Sequence, residues 1–223
     1  MQALNHNLHL GTATLLALCL GGYLLSTPAE AADVRDVSKV NGGVRIDAED
    51  RVGNLRSVNG GIDLQRGASA QAISTVNGCI DLADAVTITQ AETVNGGIRV
   101  GRDATVKGSL KTVNGGIHTE SGTVIEERVQ TVNGKIQLRN TRVAADLQTA
   151  NGDIELRDGS VVEGDLIVRG SDSWFDRFFA STRRTSEITI DSSSSVRGDI
   201  HLYRKIDLHI ADDAEVGDII EHY

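Results

Sequence analysis

The phrase Val-Asn-Gly-Gly-Ile-x-Leu, or a close variant, occurs seven times in this chain. Its asparagines are Asn41, Asn59, Asn77, Asn95, Asn114, Asn133 and Asn151, spaced by 18, 18, 18, 19, 19 and 18 residues. So regular a period over more than a hundred residues describes one small unit stacked on itself. Residues that repeat in register are then explained first by stacking, and function is to be sought where the repeat fails.

After each opening, apolar and polar residues alternate, as in Val44-Arg45-Ile46 and Ile62-Asp63-Leu64. That is the period of a half-buried strand. Runs between openings, such as Asp103 to Leu110, read as further short strands joined by corners. Eighteen residues at about 3.3 Å each trace a loop of about 60 Å, or three sides of four or five residues. The fold class this predicts is all-β: a single-stranded parallel β-solenoid, a triangular β-helix with rungs of about 18 residues. Its narrow interior suits aliphatic side chains, and no Trp or Phe occurs between Ala32 and Ser173.

Asn-Gly between alternating hydrophobics is also a strong hairpin signal, so an antiparallel meander is the rival. Hairpins give no reason for the same residue to recur at the same register. A column of Ser57, Thr75, Thr93, Thr112, Thr131 and Thr149 ahead of six openings favours stacking of like on like. The Asn-Gly pairs are expected at corners, where Gly takes positive φ and Asn tolerates it. The seven amides are expected to form a hydrogen-bonded ladder along the stack. Between the apolar positions of each opening, Arg45, Asp63, Asp81, Arg99, His118, Gln137 and Glu155 should face solvent. Rungs about 4.8 Å apart bring Arg45 to Asp63 and Asp81 to Arg99.

Beyond residue 156 the phrase changes. Segments 160–166, 194–200 and 214–219 share an order of Val, Gly, Asp and aliphatic residue, and read as two or three less regular rungs. The whole stack is then nine or ten rungs, roughly 45 Å long.

The first 29 residues carry no charged side chain. An apolar run from Leu15 to Leu25 leads to Ala29-Glu30-Ala31, the pattern of a secretory signal peptide cut after Ala31. The domain plan is therefore a signal peptide at 1–31 and a β-solenoid domain at 32–223, with the protein periplasmic or secreted. An uncleaved anchor is the rival, although the run falls short of the ~20 residues of a membrane span. Cleavage would leave Cys79 as the one cysteine, so the exported fold is held without an internal disulfide. The net charge is −9, or −8 once Glu30 is gone. An acidic chain argues against a nucleic-acid partner, which requires clustered Lys and Arg.

Recurrent Thr-Val-Asn-Gly-x-Ile-x-Leu turns behind a signal peptide resemble an adhesin-like bacterial β-solenoid family of unknown function, over about residues 38 to 170. The Val-x-Gly-Asp-Ile segments carry the likeness loosely to the end, and they are also similar to bactofilin rungs. Bactofilins usually lack a signal peptide, which sets this chain apart from them. The resemblance implies a solenoid of the bacterial envelope or its surroundings and transfers no catalytic residue.

The repeat breaks at 171–184, and every Trp and Phe of the chain falls inside that insertion. Ser173 and Asp176 are placed to cap a short helix. Trp174, Phe175, Phe178 and Phe179 would share one of its faces, with Arg177, Arg183 and Arg184 beside them. Two readings stand: the aromatic face packs on the solenoid, or it meets a partner or a membrane surface.

No catalytic, cofactor-binding or metal-binding set is expected. His118, His201, His209 and His222 form no metal-type spacing, with His201 and His209 placed on neighbouring C-terminal rungs. The function expected is a non-catalytic structural or adhesin-like interaction module of the cell envelope, with a protein or glycan partner. The alternatives are end-to-end self-assembly through open strand edges and, more weakly, a polysaccharide-active enzyme.

Overall fold

The computed structural model describes residues 34–170 and 185–223. The expected leader and the aromatic insertion, including its expected helix, lie outside the described residues. What is described is a parallel β-solenoid of about nine turns, in which every strand pairing is parallel. The antiparallel meander is thereby excluded for these residues.

Each rung has three sides. The first side carries the strand ending at the repeat asparagine, such as Leu55–Asn59 and Leu110–Asn114. The second carries the Ile-x-Leu strand, such as Ile62–Leu64, and stacks into a nine-stranded sheet running to Asp207–Ile210. The third carries short strands such as Thr105–Val106 and Val124–Ile125. Two longer strands, Ser69–Asn77 and Thr87–Asn95, run through the third corner, joining the third and first sides into one sixteen-stranded sheet.

The alternation between 18 and 19 residues has a local cause. In the two rungs with long strands, the inward residues either side of the third corner are three apart, Ala70 and Ile73, then Ile88 and Ala91. In the following rungs they are four apart, Val106 and Leu110, then Ile125 and Val129. One extra residue at that corner interrupts the strand and lengthens the rung. Asn133 to Asn151 returns to 18 because its second corner is one residue shorter, around Asn140.

The interior is a column of aliphatic side chains. Leu55, Ile73, Leu110, Ile136, Leu147 and Leu166 are all at 0–1% exposure, and among the described residues no aromatic ring enters the core. Hydroxyls are buried among them: Thr119, where the neighbouring rungs carry an aliphatic residue, meets the hydroxyl of Thr141 at 2.7 Å. Pairing the two hydroxyls removes the cost of burying either alone.

The corners correct one expectation. None of the seven repeat asparagines has positive φ, and of the glycines that follow them only Gly42 and Gly134 do. The left-handed positions fall instead at the second corner, in the column Glu49, Gly67, Ala85, Asp103 and Gly122. The glycine after each asparagine is needed for another reason. A Cβ at Gly60, Gly78, Gly96, Gly115, Gly134 or Gly152 would lie closer than 3.0 Å to the backbone of the corner glycine one rung below. Close stacking of corners therefore selects the glycine at most rungs, rather than a left-handed turn.

The later segments enter as expected. Val161–Val162, Ser195–Val196 and Glu215–Val216 continue the third side in register. Around the insertion, Leu166–Val168 pairs with Leu147–Thr149 and with Ile200–Leu202 on the first side. The chain then resumes on the second side at Glu187–Ile190, where Ile188 pairs with Ile154. Val168 on the first side and Glu187 on the second thus flank, in this rung, the corner that Asn-Gly occupies in the seven rungs before.

Candidate interaction surface

Along the first corner the repeat asparagines form an unbroken line of six side-chain hydrogen bonds. Asn59 Nδ2 donates to Asn41 Oδ1 at 3.2 Å, and the pattern continues through Asn77, Asn95, Asn114, Asn133 and Asn151 at 2.9–3.1 Å. All six run in one direction, so the amide dipoles add and each bond polarises the next. The last acceptor, Asn151 Oδ1, receives Arg204 Nη1 at 2.7 Å, and the same nitrogen donates to Ala150 O at 3.0 Å. Arg204 Nη2 donates to Ser186 Oγ at 3.1 Å. Arg204 therefore ties Ser186, just after the insertion, to the ladder, with its positive charge at the ladder's negative end.

Behind the ladder lies a buried row of hydroxyls. Thr75, Thr93, Thr112 and Thr131 each donate to the corner-glycine carbonyl of the rung below, at 2.8–2.9 Å. The row ends at Ser57 and Thr149, whose buried hydroxyls have no partner. The glycines below those two are Gly42 and Gly134, the pair with positive φ.

In front of that row the first side faces outward with a stripe of valines. Val58, Val76, Val94 and Val113 are 39–41% exposed and Val40 is 65% exposed, while Val132 is half-buried. One position back along each strand pair stand Arg56, Ser74, Glu92, Lys111 and Gln130, with Lys111 Nζ 3.1 Å from Glu92 Oε1. Valines and polar row together line an open groove of about 380 Å³. The valine position is legible in the repeat phrase, but its exposure along one side is not.

The second side carries the mixed charges. Arg45 meets Asp63 at 3.2 Å and Arg99 meets Asp81 at 2.8 Å. His118 Nε2 lies 2.8 Å from Glu120, and this contact holds the Glu120 carboxyl below its ordinary value. Glu155 departs from the expected exposed column, being 5% exposed and in contact with both Lys135 and Arg157. Burial alone would raise its pKa, but the hydrogen bonds and charges of those two cations lower it. On the third side Glu163 receives Arg197 at 2.6 Å and Arg142 at 3.0 Å. Its burial also works upward, and the two guanidinium groups again win.

The third corner has a carboxylate ladder that explains the Val-x-Gly-Asp pattern. Asp165 N–H donates to Asp146 Oδ1, Asp199 N–H to Asp165 Oδ1, and Asp218 N–H to Asp199 Oδ1, at 3.0–3.1 Å. The preceding glycines, Gly164 and Gly198, sit where a Cβ would meet the aspartate below. These aspartates are corner fasteners.

His201 lies on the first side and His209 on the second, so they do not meet. His201 Nδ1 instead faces His222 Nε2 at 3.1 Å, and Tyr203 stacks on His222 with centroids 4.2 Å apart. Among the described residues no group of three or more His, Cys, Asp or Glu is arranged to hold a metal ion. Cys79, in the second glycine column, is a half-buried free thiol. Trp174, Phe175, Arg177, Phe178, Phe179, Arg183 and Arg184 lie outside the described residues.

No protein-family model, curated protein or solved structure matches this chain. The parallel solenoid itself rests on strand register.

Proposed function

We propose that this chain is a non-catalytic, adhesin-like interaction module of the bacterial cell envelope, exported to the periplasm or beyond. What supports this reading is how the outward side chains are disposed. Charged groups are matched rung to rung, as in Arg45–Asp63, Arg99–Asp81 and Lys111–Glu92, rather than gathered in a cleft. Exposed apolar groups are lined up along the stack. Such a disposition suits recognition over an extended surface. The insertion at 171–184 adds the aromatic and arginine side chains suited to a second contact with an envelope protein, a glycan or a membrane surface.

The test is binding of purified protein to peptidoglycan, outer-membrane vesicles and a glycan panel, with the 171–184 deletion and the Trp174→Ser/Phe178→Ser variant in parallel. Binding to one of these surfaces, reduced in the variants while β-content is unchanged, is expected. Absence of binding to all of them removes the reading. A variant that melts or fails to accumulate instead assigns the aromatic segment to packing. Cell fractionation with sequencing of the mature N-terminus tests export, with Ala32 expected as the first residue.

A second reading, end-to-end assembly, is favoured by the last rung. Strands Asp207–Ile210, Glu215–Val216 and Ile219–Glu221 each have a partner on one side only among the described residues, and Leu208, Ile210 and Val216 are incompletely buried. Particle size that grows without limit as concentration rises supports it; a fixed size at all concentrations removes it.

A further inference from the structure

We propose that the valine side of the solenoid is a homodimer interface. Two copies pack first side to first side with their long axes antiparallel. The two-fold axis runs along the strand direction, between the rungs of Val94 and Val113. This goes beyond the envelope-binding reading and does not rest on it: it gives the apolar stripe to a second copy and leaves the charged second side and the 171–184 insertion for an envelope partner.

Periodicity chooses the occupant. The stripe places one valine on every rung, from Val40 to Val132, at the spacing of paired strands, about 4.8 Å. An extended peptide repeats its side chains on one face at about twice 3.3 Å, and falls out of step within a few residues. A surface that keeps step over the whole stripe is another stack of parallel rungs, and a second copy supplies one. Identical aliphatic side chains repeated in register on two facing sheets form the dry, interdigitated contact that stabilises steric zippers.

Charge placement chooses the register. A two-fold axis along the strands sets each column against itself with the rung order reversed. Placed between the fourth and fifth repeats, it puts Val94 opposite Val113, Val76 opposite Val132, and Ser74 opposite Gln130. Glu92 of each copy then faces Lys111 of the other, twice, extending the Lys111–Glu92 pair already present within each chain at 3.1 Å. Moving the axis onto the Glu92 rung sets Glu92 against Glu92, and moving it onto the next sets Lys111 against Lys111. Only the intermediate position satisfies both charges, which is how a flat periodic face avoids slipping.

The six rungs from Val40 to Val132 at ~4.8 Å by about five residues at ~3.3 Å give about 475 Å² per copy. The total of about 950 Å² is the size of a weak, transient interface. A reversible dimer is expected.

Sedimentation across the micromolar range tests this with the full mature chain. Wild type should pass from monomer to dimer and stop there. Val94→Lys should remain monomeric with unchanged circular dichroism and melting. Glu92→Lys and Lys111→Glu should each weaken self-association by about tenfold or more, since each sets lysine against lysine or glutamate against glutamate. An equimolar mixture of these two variants should recover the dimer, because both cross-pairs are then of opposite sign. Wild type that stays monomeric throughout overturns the proposal. So does a wild-type dimer that Val94→Lys leaves intact, or a mixture that associates no better than either variant alone.

Discussion

Gly96 shows what a repeated residue is doing in a stacked fold. A Cβ there would come within 3.0 Å of Gly78 backbone atoms, and neither backbone has room to move without disturbing the next rung. Gly97, its neighbour, stands in a column that already accepts Cys79, Lys135 and Asp153. Gly96→Ala should therefore lower the unfolding free energy by about 1–3 kcal/mol, the usual cost of overpacking, and Gly97→Ala by clearly less. Urea denaturation of the two variants checks the difference, and equal losses would refute the close-approach account. The repeat phrase reveals that a glycine is required but not why, because positive φ and close approach select the same residue. Only the φ values separate them, and they move the left-handed positions to Glu49, Ala85 and Asp103, where no Asn-Gly stands. The threonine hydroxyls were hidden for a related reason. A Ser/Thr column reads as stacking, whereas the bond each makes to a glycine carbonyl one rung below depends on which way the corner turns that carbonyl.

At the scale of the strand and corner, side chains that close one rung onto the next are what distinguish the two ends of the molecule. The N-terminal half joins its second side by Arg–Asp pairs open to solvent, each contributing at most about 1 kcal/mol. The C-terminal half relies more on carboxylates with several partners: Glu155, Glu163 and Asp191 have lowered pKa values there, against Asp36 and Glu120 in the N-terminal half. For Asp191 burial works upward, and hydrogen bonds from Ser194, Asp158 N–H and Ser193 outweigh it. A carboxylate whose folded pKa is depressed stabilises the fold above its unfolded pKa, and that contribution is lost as pH falls through the folded value. Acid unfolding below about pH 4 should thus begin in the C-terminal half. Glu163→Gln removes one such group at every pH. It should be less stable than wild type at neutral pH and lose less on acidification, so that the two stability curves converge. Parallel curves measured between neutral and acid pH would show that the Arg142 and Arg197 contacts carry no weight. This asymmetry was only partly legible in sequence. Matched pairs such as Arg45 and Asp63 follow from an 18-residue spacing, while Glu163 and Arg197 are separated by 34 residues because the insertion intervenes. Arg204 was invisible for the same reason, since its tie to Asn151 spans that gap.

For the whole solenoid, each rung rests almost entirely on its two neighbours, so local stability should follow position in the stack. Core side chains of the middle rungs, such as Ile98, Ile117, Ile136 and Leu138, are at 0–1% exposure. Those of the last rung, Leu208, Ile210 and Val216, are only partly buried. Among the described residues the last rung, like the first, has a neighbour on one side, so it gains one stacking interface where the middle rungs gain two, and its opening costs correspondingly less. Amide hydrogen exchange of the intact chain should therefore be fastest in 207–221 and slowest in the strands between Ile98 and Arg157, with protection rising rung by rung away from the C-terminus. The gradient distinguishes a stack of coupled units from a single cooperative core, which would give one exchange rate throughout. Opening of the last rung also breaks the contact of Tyr203 with His222 and the pairing of Ile200–Leu202 with Ile219–Glu221. Tyr203→Ala should speed exchange in 207–221 and leave Ile98 to Arg157 unchanged. If protection falls equally along the stack in that variant, nearest-neighbour coupling is the wrong description of how this molecule holds together.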